Sequence, residues 1–204
     1  MKVVFVYKEA GCKRIQIGVQ TWNQEFKRTL CHRYETNEQI INACEAVKRA
    51  GIYLDVDHIF GLPLHEEADY IEAVRQYARI RPNHINCFWM RYYPGTELVS
   101  IAQSYNLLSN QDVEAIEEGL ERDYFKGGSV KDIRPLARVQ ALFTLIPFLG
   151  SRTVTMLLER GWYRWLFRSF LLFLVVPRLI QMPFHKDMWY NFRRSLLKFA
   201  PFRK

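Results

Sequence analysis

Apolar and polar residues alternate with a period of two in three stretches of the first 90 residues. Over 14–20, Ile15, Ile17 and Val19 face one way and Gln16, Gly18 and Gln20 the other. Over 52–58 the split sets Ile52, Leu54 and Val56 against Tyr53, Asp55 and Asp57. Over 84–90 it sets Ile85, Cys87 and Trp89 against Asn86, Phe88 and Met90. Side chains of a strand alternate between faces, so each stretch predicts a strand with one apolar and one polar side. Between them the period lengthens. Ile40, Ala43, Cys44 and Val47 recur at helical spacing within 36–51, Thr36 and Gln39 have the spacing of a capping box, and Gly51 supplies a stop. A second helix is predicted over about 67–80, and residues 2–11 read as the end of a helix running into Ala10-Gly11.

Strand, helix, strand, helix, strand is the order of an α/β fold, and a crossover helix between strands implies parallel pairing. A doubly wound sheet is usually apolar on both faces. Here one parity carries Gln, Asp and Asn through all three strands, which fits the inner wall of a TIM-type β/α barrel of about three units. Working residues in such folds gather at the C-terminal strand ends, where Gln20 and Asp57 fall. The plainer alternative is that these two polar residues merely end strands and begin loops.

Charge divides the chain. Residues 151–204 hold 11 Lys/Arg against 2 Asp/Glu, a net of +9, while residues 1–150 hold 18 against 19, a net of −1. The basic character belongs to the tail, and three domains are expected: the partial barrel over 1–108, a helical extension over 109–150 and a basic aromatic helical tail over 151–204. Cys12, Cys31, Cys44 and Cys87 form no C-x-x-C pair, which excludes a zinc ribbon or a disulfide framework and leaves free thiols in a reducing cytoplasm. Cys31-His32 has no partners in register for a metal, so no metal ligands are assigned. His58 lies on the apolar parity and is expected to be packed. Neither a Walker loop nor a G-x-G-x-x-G is present.

Four blocks then add a resemblance. Ala10-Gly-Cys-Lys-Arg-Ile-Gln-Ile-Gly-Val-Gln-Thr21, Arg33-Tyr-Glu-Thr36, Ala50-Gly-Ile52 with Asp57-His-Ile-Phe-Gly-Leu-Pro63, and Tyr93-Pro-Gly-Thr96 occur in order over about half the chain. Together they resemble the later half of radical S-adenosylmethionine (SAM) proteins, of the cobalamin-binding and oxygen-independent coproporphyrinogen oxidase types. The resemblance implies that Gln20 hydrogen-bonds the SAM ribose, that Arg33 pairs with the SAM carboxylate and that Asp57 contacts the ribose or orients the aminoacyl end. It implies that Gly61 lets the loop pass close to the cofactor, and strand parity adds Phe88 and Met90 as a lining for the adenine. An Arg33–Glu35 ion pair and an ordinary Gly61 turn are the bland alternatives. The cofactors implied are SAM and a [4Fe–4S] cluster, with cobalamin in the cobalamin-binding type.

Two departures accompany it. Gly61-Leu-Pro-Leu-His-Glu66 stands where the family often has Gly-Leu-Pro-Gly-Glu-Thr, so Glu66 is assigned no role. The C-x-x-x-C-x-x-C that would hold the cluster is absent from the 204 residues. The expectation is therefore a fragment: the SAM-holding portion of a radical enzyme, inactive without a partner half that carries the cluster, with a non-catalytic half-barrel module as the rival.

Beyond the barrel, Ser109–Gly119 reads as a capped acidic helix, Gly127-Gly128 as a break, and about 133–146 as another helix. Residues 151–204 hold 12 of the chain's 30 aromatics. The uncharged run 169–177 is too short to span a bilayer, which takes roughly 20 apolar residues. Basic residues beside Trp, Phe and Leu suit a helix lying at the inner face of a membrane, or else a basic helical pair packed on the barrel. A lipid-like substrate becomes thinkable, and nucleic acid has no module to support it.

Overall fold

The structure, a computed structural model, describes residues 2–120 and 134–165. The break expected at Gly127-Gly128 and the tail beyond Trp165 lie outside them. A short helix α1 (Lys2–Glu9) leads into β1 (Arg14–Gln20). The helices α2 (Gln24–Thr29) and α3 (Asn37–Arg49) precede β2 (Tyr53–Phe60), and α4 (Glu67–Ile80) precedes β3 (His84–Trp89). Then follow α5 (Glu97–Ser104), α6 (Asn110–Glu117), α7 (Arg134–Leu145), α8 (Ser151–Glu159) and a 3-10 turn, Trp162–Trp165.

The three strands are parallel in the order β1-β2-β3, with Gly18 opposite Asp57 and Asp57 opposite Asn86. Helix α3 begins at the expected cap: the Thr36 hydroxyl accepts from Gln39 N–H at 3.1 Å and the Gln39 amide oxygen accepts from Thr36 N–H at 2.8 Å. Ile40, Cys44 and Val47 of α3 and Tyr70, Ala73, Val74 and Tyr77 of α4 are buried against Val19, Leu54, Val56, Phe60 and Ile85 of the sheet. Both crossover helices thus cover one face. Chain order equals strand order and the helices lie on one side, an arrangement consistent with a partial β/α fold. Among the described residues no further strand closes it, so what is present is a mixed α/β body with a small open parallel sheet.

Helix α7 completes the same core. Its Phe143, fully enclosed, meets His58, Phe60 and Tyr77 with ring centroids 4.9, 5.1 and 5.4 Å apart. Val154 of α8 and Tyr163 of the 3-10 turn join it. A second, smaller cluster of Tyr92, Val99, Ala102 and Ile116 gathers α5 and α6 beyond the end of β3.

Candidate functional site

The sheet face without helices is polar and organised in tiers. At the strand beginnings, Arg14 Nε pairs with Asp55 Oδ2, while Asp55 Oδ1 faces His84 Nδ1 at 3.7 Å. Asp55 is fully enclosed, and burial lowers the His84 pKa. One tier on, Gln16 Nε2 donates to both oxygens of Asp57 at 2.8 and 2.7 Å, and Asn86 Nδ2 donates to Oδ1 at 2.8 Å. A single carboxylate is thereby held from both neighbouring strands. Phe88, opposite Ile59 in register, stands half exposed on this same face.

Strand β1 ends in a distortion. Its register slips between Gly18 and Gln20, and Thr21 N–H donates to Val19 O at 2.8 Å across Gln20, whose φ is +64°. A three-residue turn with positive φ at its centre is the rarer, strained kind. The turn folds the Gln20 side chain back over Gly18, where a Cβ would stand 2.7 Å from Gln20 Nε2. Glycine at 18 leaves room for that amide, which has no hydrogen-bond partner among the described residues. Arg33 arrives from the loop after α2, and its Nη2 donates to Gly18 O at 2.6 Å. Its Nε pairs with Glu35 at 2.8 Å, so the ion pair suggested by the sequence is made as well. Gln20, Arg33 and Asp57 therefore share one neighbour, Gly18: the first lies over it, the second binds its carbonyl and the third sits across from it.

Neighbouring side chains hold the strained turn in place. Pro63 O can only accept, so His65 Nδ1 carries the proton at 3.3 Å and Nε2 accepts from the buried Thr21 hydroxyl at 2.7 Å. Thr21 Oγ1 in turn accepts from Asn23 N–H at 3.1 Å. The loops that follow β1 and β2 are stapled together one residue beyond Gln20. Burial lowers the His65 pKa, which keeps Nε2 an acceptor at neutral pH.

Two predicted residues stand apart. Gly61 is buried with φ +77°, and its N–H donates to the Tyr70 hydroxyl at 2.8 Å. Met90 lies just past the end of β3, its N–H donating to Phe60 O at 2.7 Å, and packs against the smaller cluster of Tyr92, Val99, Ala102 and Ile116. Sequence reasoning noted Gln16 and Asn86 only as polar parity, and it passed over Thr21 and His65. Parity alone placed the first two beside Asp57. The Thr21–His65 contact spans 44 residues and left no local signal.

The cysteines do not suit an iron–sulfur cluster. Burial pushes the Cys44 thiol up to about 11 and also raises Cys31, against the thiolate form that ligation needs. Among the described residues no three His, Cys, Asp or Glu side chains gather as a metal site. The polar face offers a guanidinium, an unpartnered amide and a carboxylate around one glycine.

Residues 2–77 match the family model of the Radical SAM superfamily. The chain is 30% identical over 95 residues to a heme chaperone HemW from Buchnera aphidicola, an alignment covering 47% of this chain and 25% of the relative. It is 26% identical over 92 residues to an oxygen-independent coproporphyrinogen III oxidase from Synechocystis, covering 45% of this chain and 20% of that one. The chain thus spans a quarter or less of the curated relatives it matches. The second is of the coproporphyrinogen oxidase type, one of the two the sequence resembles. Nothing found supports the cobalamin-binding type.

Proposed function

We propose that residues 10–108 are the SAM-gripping portion of a radical SAM enzyme, and that the cluster-binding cysteines come from another segment or chain. The observation that carries this reading is the strained Gln20 turn, because backbone strain persists where surroundings over-determine it and tends to collect at functional sites. Gln20 would hydrogen-bond the ribose hydroxyls. Arg33 would present Nη1, which has no partner among the described residues, to the aminoacyl carboxylate, for which a planar guanidinium is well shaped. Asp57, already fixed by Gln16 and Asn86, would hold the ribose or the ammonium end. Phe88 would offer its exposed ring to the adenine. Bound beside a cluster, SAM supplies reductive radical chemistry; this chain's share is to bind and orient it.

A complementary half has a surface to meet. β1 forms an edge of the sheet, and Val3, Phe5, Val6 and Tyr7 of α1 are all exposed, an apolar patch that usually marks an interaction site. The absent cysteine motif favours the rival reading, a non-catalytic half-barrel, and one titration separates the two. Calorimetry of the purified chain with SAM is expected to show weak binding. Gln20→Ala and Arg33→Ala should each weaken it about tenfold or more, the worth of a charge-assisted hydrogen bond, with circular dichroism unchanged. No SAM binding by the folded chain would overturn the proposal. Treatment with iron and sulfide is expected to give neither cluster absorbance nor SAM cleavage. Either signal would show that the cysteine assignment above is wrong.

A further inference from the structure

We propose that the 3-10 turn Trp162–Trp165, at the end of α8, docks onto an anionic lipid surface. The three aromatics of this turn divide. Tyr163 is buried, and its hydroxyl donates to Glu67 Oε1 of α4 at 2.7 Å, pinning the turn to the body. The tryptophans on either side are thereby held outward, Trp162 45% and Trp165 76% exposed, with Met156 of α8 37% exposed. Exposing two indoles on this turn leaves apolar area in water. Indole, with an apolar body and one N–H, is suited to the boundary between headgroups and acyl chains.

Charge selects the occupant. The Arg160 guanidinium lies 4.9 Å from the Trp162 ring centroid, and that of Arg164 lies 5.8 Å from the Tyr163 ring. Arg152, Arg160 and Arg164 are all exposed, with Glu159 as the one acidic residue of 151–165. The sequence continues the bias: residues 166–204 hold 8 Lys/Arg against 1 Asp/Glu and nine aromatics. Cations beside tryptophans meet anionic headgroups favourably, each basic residue adding to the attraction. Among the described residues no helix is long and apolar enough to cross a membrane.

The test is flotation of the full 204-residue chain with vesicles of phosphatidylcholine alone or mixed with phosphatidylglycerol. The chain is expected to float with the anionic vesicles, to stay behind with neutral ones and to be released by salt. Trp162→Ser with Trp165→Ser should lower the bound fraction about tenfold. Trp165→Ser alone, at the most exposed of these positions, should lower it in the same direction, with circular dichroism confirming that both variants fold. No flotation, equal flotation with neutral vesicles, or unchanged flotation of the double variant would each overturn the proposal. The last outcome would assign lipid binding to residues 166–204.

Discussion

Leu64 holds φ at +63°, a region where a Cβ crowds the following carbonyl and which glycine enters without that penalty. Its side chain is 45% exposed, so little burial offsets the strain. It occupies the place of the second glycine in the Gly-Leu-Pro-Gly-Glu-Thr segment that Gly61–Glu66 resembles. Leu64→Gly is therefore expected to raise stability by about 0.5–1 kcal/mol, the strain relief less the added chain entropy, read as a shift in the urea midpoint. Gln20→Gly should relieve a second positive-φ position by a similar amount, about 0.5–1 kcal/mol. On the reading proposed above it also removes the amide that meets the ribose, so stability should rise while SAM affinity falls. If both improve together, the Gln20 turn is not a functional device. Gln20 was legible as a polar residue at a strand end, but Asp57, expected at one too, lies inside β2, whose pairing with β3 runs on to Phe60. The turn around Gln20 was not legible, because no local pattern announces a glutamine at positive φ.

Elements were legible where their stabilisation is local. The Thr36–Gln39 cap and the apolar stripe above it lie within one helix, and α3 forms where they predict. Thr36→Ala should cost about 1 kcal/mol, measured by chemical denaturation. Helix α2 escaped sequence reasoning because only six residues form it. The Asn23 side chain caps it by accepting from Phe26 N–H at 3.0 Å. Lys27 is enclosed with its Nζ donating to Asn37 at 2.8 Å, and burial lowers its pKa. Helix α7 was expected as an element, but its place was not, since periodicity says which face is apolar and not what covers it. That face reaches the aromatic box of β2 and α4 through Phe143. Phe143→Ala should destabilise by about 3–5 kcal/mol, far more than an exposed substitution on the same helix. A loss below 1 kcal/mol would mean that α7 does not seal this core.

At the scale of the whole molecule, the sheet separates a dry aromatic face from a polar one, and the histidines record that division. His58 lies on the dry face, 1% exposed among Phe60, Tyr70, Tyr77 and Phe143. Its Nδ1 is 3.2 Å from the Tyr77 hydroxyl, and its Nε2 has no partner among the described residues. Burial lowers its pKa from 6.5 to about 3, and the pKa values of His65 and His84 are lowered as well. All three shifts have one sign: the unfolded chain takes up protons that the folded chain refuses. Stability is then full above about pH 6.5 and declines as pH falls toward the folded values, with His58 alone removing about 2 kcal/mol by about pH 5. Urea titrations at about pH 7.5 and pH 5 should show this loss, and His58→Leu should recover most of it while leaving the smaller part due to His65 and His84. An unchanged slope in His58→Leu would mean that His58 is not sealed beneath α7, and the packing that separates the two faces of the sheet would need to be redrawn.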